Sequence, residues 1–174
     1  MRAAALQWRT PRAAAAAGFE LERRKRAAGD RSLGILHAEH RRFRNDAQDL
    51  DPRRPETLVY ANEPGRALVL IGVMFSMARA EHGPTPGGPL TRWHMHSVCV
   101  SGEKRGLAPR PDGRCPRGTT RRLGSEMLHV WFTHDLRSSF AIHAPEPELC
   151  AAGLLGRARC GRTIVCKLPP ASQS

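Results

Sequence analysis

Ala67-Leu-Val-Leu-Ile-Gly-Val-Met-Phe75 is the segment that most restricts what this chain can become. Nine consecutive residues without a charge cannot lie across a surface, and a short continuous apolar run reads as a strand covered on both faces. The run is about half the ~20 residues that a membrane-crossing helix needs, so it is not a span, and no other segment is longer. Just upstream, Thr57-Leu-Val-Tyr-Ala61 reads as another strand, and the intervening Glu63-Pro-Gly-Arg66 supplies turn chemistry. Strand, turn and strand predict an antiparallel hairpin at the centre of the fold.

Six of the nine aromatic residues lie between Tyr60 and Phe140, which places the expected core there. The formal charge of +12 is distributed around that region rather than within it. Residues 1–66 carry 14 Arg and Lys and residues 104–122 carry seven, whereas residues 67–100 hold only Arg79 and Arg92. Basic segments hung around an ordinary core can contact nucleic acid or another anionic surface. The expected organisation is a basic, partly helical arm over residues 1–56, a β-rich core over 57–150 and a flexible tail over 151–174. Thr10-Pro11 suits a helix start, and Gly29-Asp30 a stop, for a helix over residues 11–28. Leu33 to Phe43 fits a short strand or a helix equally well. Met127–Thr133 and Ser138–Ala144 read as further strands. Ser101 to Ser125 reads as a long polar loop, and Leu149–Leu155 as a short helical piece. At the amino terminus, Arg2 and Arg9 bracket an apolar stretch too short for a secretory signal, so no export address is expected in the sequence as written.

The chemistry-bearing residues are histidines. His94 and His96 are two positions apart in Thr91–Val100, which reads as a strand, and residues i and i+2 of a strand leave the same face. His129 lies in the next strand-like run and is the natural third donor. Two imidazoles from one strand and a third from a neighbour form a metal site with an open position. Nitrogen donors suit zinc, copper or iron among divalent transition metals. His37, Glu39, His40, Glu126 and His143 are further candidates. Trp131 shares parity with His129 and is expected to wall the site, whereas Cys99 has opposite parity to His94 and His96 and is expected to face away. The sequence lacks a GxSxG elbow, a phosphate-binding P-loop, a dinucleotide fingerprint and an HExxH helix, so no reaction is legible. A small metal-binding protein is therefore the leading expectation. The alternative is a basic interaction module whose histidines are structural.

Of the five cysteines, Cys99 and Cys115 flank the polar loop and suit a disulfide in an oxidising compartment. Cys160 and Cys166 are expected as free thiols in the tail. No CxxC pair occurs, which argues against a zinc ribbon or a thioredoxin-type site.

Pro55-Glu-Thr-Leu-Val-Tyr60, Leu70-Ile-Gly-Val-Met-Phe75, Trp93-His94-Met-His96 with Cys99, Cys115-Pro-Arg-Gly118 and Met127-Leu-His129-Val-Trp131, taken in that order, resemble a family of uncharacterised bacterial proteins. The likeness covers about residues 35–155. It implies an exported protein, a Cys99–Cys115 disulfide and His37, before the Asp51-Pro52 loop, as an added ligand. The HxH followed by a later strand histidine also resembles a cupin metal site, without that site's glutamate. The expected fold class is α+β, with an antiparallel β core (a sandwich or cupin-like barrel) and an N-terminal helical arm.

Overall fold

A computed structural model describes residues 1–22, 33–46, 50–78, 81–101, 104–107 and 113–165. The central hairpin is present as β3 (Thr57–Asn62) and β4 (Val69–Ser76). Thr57 to Ala61 and Leu70 to Phe75 are all buried, as strands with cover on both faces must be. Three more strands extend the hairpin into an antiparallel sheet: β1 (Glu20–Leu21), β2 (Gly34–Glu39) and β8 (Met127–Trp131). The order is β1-β2-β3-β4-β8. A second antiparallel sheet has β5 (Ser97–Ser101) between β6 (Lys104–Leu107) and β7 (Thr120–Leu123). The protein is thus α+β and β-rich. Its large sheet ends in two edges that do not pair with each other, so it is not a closed barrel.

Register assigns the faces. Leu58 pairs with Val73 and Phe75 with Leu128, so these side chains share one face with Tyr60. The N-terminal helices α1 (Arg2–Ala5) and α2 (Pro11–Ala16) bring Ala5, Trp8, Ala14 and Phe19 into the same core. The Tyr60 hydroxyl donates to the Trp8 carbonyl at 2.6 Å, satisfying a buried polar group that would otherwise cost about 1–3 kcal/mol. Aromatic density alone placed the core between residues 60 and 140. Trp8 and Phe19, 5.2 Å apart and buried, extend it to the amino terminus, and β2 lies within the segment read as an arm.

The expected caps of α2 form: Thr10 accepts from the Ala13 N–H, and Pro11 opens the helix. The helix ends at Ala16, two residues before Gly18, rather than at residue 28. Gly18 adopts φ +97°, and a Cβ there would meet His40 Nε2 at 3.0 Å. Residues 23–32 lie outside the described residues. Ser138–Ala144 is not a strand, because the Asp135 carboxylate accepts from the Ser138 N–H and starts the short helix α3 (Leu136–Ser139). Part of the expected long loop is built into β6 and β7. The expected tail contains α5 (Arg157–Val165), which a Cys150–Cys160 pair at disulfide distance ties to α4 (Glu146–Ala151). Cys160 is therefore not a free thiol; Cys166 lies outside the described residues. Among the described residues no helix is long and apolar enough to cross a membrane.

Candidate histidine site

The His-x-His motif does not lie within a regular strand. Gly88–Leu90 forms a single 3-10 turn, and the chain then joins the large sheet at His94, which makes an isolated antiparallel bridge to Met127. His94 and Met127 exchange both backbone hydrogen bonds, at 3.0 and 2.8 Å. Two residues later the His96 carbonyl accepts from the Gly124 N–H, and Ser97 begins β5. The motif therefore sits at the corner where the chain leaves one sheet for the other. A corner does not obey period-two alternation, and the two rings meet edge to face with centres 5.1 Å apart. Cys99 is buried in β5 and lies at disulfide distance from Cys115, Cα to Cα 5.5 Å, as expected.

The large sheet brings in the other rings. His37 pairs with Val59, Val59 with Gly72, and Gly72 with Trp131; in the next row Thr57 pairs with Met74, and Met74 with His129. His37, His129 and Trp131 thus lie on the face opposite Tyr60 and the N-terminal helices. Gly72 is what allows Trp131 to lie flat there, since a Cβ would come within 3.2 Å of its Cε3 and 2.9 Å of the Val130 carbonyl. The Trp131 indole stacks on His129 at 4.9 Å and 14°, and its Nε1 donates to the Ala141 carbonyl. His129 in turn stacks on His94 at 5.1 Å and 22°, and His37 reaches to 6.4 Å from His129 across two intervening strands.

Hydrogen bonds fix the tautomers. His94 Nδ1 faces the Arg92 carbonyl, which can only accept, so Nδ1 carries the proton and Nε2 keeps a lone pair. That Nε2 is buried and has no hydrogen-bond partner among the described residues; His129 Nδ1 is in the same condition. His37 Nδ1 faces a Glu22 carboxylate oxygen at 3.2 Å, and the same oxygen accepts the His37 backbone N–H at 3.0 Å. Burial, reinforced by the neighbouring His94, His37, His96 and His143, pushes the His129 pKa down to about 3. Burial also lowers that of His94. Both rings are neutral imidazoles at physiological pH.

Two imidazoles on one tetrahedral ion, with metal–nitrogen bonds of about 2.0–2.1 Å, have ring centres roughly 5 Å apart. The His94–His96 and His94–His129 spacings match that value, and the His37–His129 spacing exceeds it. Among the described residues no group of three or more His, Cys, Asp or Glu side chains is already disposed to hold a metal ion.

The other candidates are engaged elsewhere. His40 Nε2 bonds to the Ala17 carbonyl and its Nδ1 accepts from the Phe43 N–H, so it is a structural pin for the N-terminal segment. Glu39 pairs with Arg44, and Glu126 with His82 and the Gly83 N–H. His143 is exposed but close enough to bear electrostatically on both His94 and His129. Glu22 went unnoticed in the sequence because it fell inside the expected helix. No protein-family model, curated protein or solved structure matches the chain.

Proposed function

We propose that the protein binds a divalent transition metal ion through His94, His96 and His129, with His37 as the outer donor and Trp131 shielding one side. The observation that carries this reading is the pair of buried nitrogens on adjacent rings, His94 Nε2 and His129 Nδ1, that have no hydrogen-bond partner among the described residues. A buried polar atom without a partner costs about 1–3 kcal/mol, and a metal–nitrogen bond removes that cost. Burial keeps both rings in the neutral form that ligation requires. The Glu22–His37 contact supports the same reading, because ligating histidines ordinarily give their other N–H to a carboxylate or carbonyl that fixes tautomer and orientation. An all-nitrogen donor set suits zinc, copper or iron. The two cysteine pairs at disulfide distance suit an oxidising compartment, in keeping with the resemblance to exported proteins.

Zinc titration by calorimetry, with a competing chelator, tests the proposal. One equivalent is expected to bind, His94→Ala and His129→Ala each weakening it at least a hundredfold. His134→Ala, at an exposed turn, is expected to leave binding unchanged. Equal weak binding by all four proteins would remove the reading.

A further inference from the structure

Beside the histidine site, along the outer edge of β8, lies a cavity of about 330 Å³. Its walls include Leu128, Val130, Phe140 and Trp131, with the exposed Leu136 at the rim. Three polar side chains also line it: Arg2, Thr133 and Ser139. The hydroxyls are already committed. Ser138 Oγ donates to Thr133 Oγ1, while Thr133 Oγ1 and Ser139 Oγ both donate to the Asp135 carbonyl, at 2.9 to 3.0 Å. Each hydroxyl has one proton, and all three are spent within this cluster. Arg2 carries the remaining polar side chain of the wall, and among the described residues no ion pair or hydrogen bond engages its guanidinium.

An apolar chamber with an uncommitted guanidinium in its wall selects its occupant by charge and by shape. We propose that this cavity binds a small apolar carboxylate, its hydrocarbon part against Val130, Trp131 and Phe140 and its carboxylate paired with Arg2. The volume lies at the lower end for small-molecule sites and accommodates about eight to twelve carbon atoms at ordinary packing density. Charge complementarity excludes cationic ligands, and the spent hydroxyl protons disfavour a sugar-like ligand that needs several donors. The cavity and the histidine site share Trp131, which lines the first and stacks on His129 in the second, so an occupant would be felt at the indole.

Decanoate and decanol, each titrated into the full-length protein by calorimetry and by tryptophan fluorescence, test this directly. Saturable decanoate binding is expected, at least tenfold tighter than decanol, with a fluorescence change that disappears in Trp131→Phe. Arg2→Gln should erase the preference for the acid, and Val130→Phe should fill the chamber and abolish binding of both. Leu136→Glu, at an exposed rim position that does not threaten folding, should weaken decanoate at least tenfold. Chelator should alter none of these results, which separates them from the metal site. Absence of saturable binding, or a preference for decanoate over decanol that survives Arg2→Gln, overturns the proposal.

Discussion

Replacing Glu56 by Gln should uncover an acid-induced loss of stability that the native chain conceals. Two buried groups titrate in opposite senses. The folded-state pKa of His129 is depressed to about 3 from an ordinary 6.5, so between those values the unfolded chain binds the extra proton and stability falls as pH falls. Glu56 is raised to about 7 from 4.5 by burial, which outweighs the N–H of Ser76 donating to it at 2.8 Å. Between 4.5 and 7 the folded chain holds that proton, and stability falls as pH rises. Each slope is about 1.4 kcal/mol per pH unit, so they offset one another in the shared window. Urea unfolding of the native chain in chelator should therefore vary by no more than about 1 kcal/mol between pH 4.5 and 6.5. Gln keeps a carbonyl for the Ser76 N–H while removing the titration. The Glu56→Gln protein should lose roughly 2–3 kcal/mol on going from pH 6.5 to 4.5. Adding His129→Gln should flatten the profile again, apart from a smaller contribution of the same sign from His94. A Glu56→Gln profile that is flat, or one that keeps its slope without His129, would refute a buried neutral ring at this position.

Glu22→Gln should weaken zinc binding about 10- to 100-fold in calorimetry, since it takes the carboxylate from His37 Nδ1, while changing the urea midpoint little. Gly72→Val should push the indole off His129, lowering both the melting temperature and zinc affinity, whereas Ala should produce the smaller version of both effects. Cys150→Ser with Cys160→Ser should cost about 3 kcal/mol in chemical unfolding, the amount expected for opening a short loop, and should leave zinc affinity unchanged.

What was legible in the sequence was whatever local pattern dictates. A run with no charge had to become β4, Thr10-Pro11 had to start a helix, and the cysteines flanking the polar loop came together. What was not legible depended on pairing at a distance. The two-residue strand β1 lies against the end of β2, and this alone brings Glu22 to His37, fifteen positions later in the chain. The His-x-His motif has the alternation of a strand, but a single bridge at His94 and the switch of sheets at Ser97 set its geometry. Asp135 followed by Ser138 is a helix-cap pattern that the apolar alternation of Phe140 and Ile142 obscured. His40 reads like a ligand in sequence, and only the Ala17 carbonyl and Phe43 N–H show that both of its nitrogens are taken.

Zinc-edge X-ray absorption on protein loaded with one equivalent of zinc tests the central claim most directly. The expected first shell holds three or four imidazole nitrogens at about 2.0–2.1 Å, falling by one in His94→Ala. A first shell of oxygen alone, or one containing sulfur, would contradict a site built from His94, His96, His129 and His37.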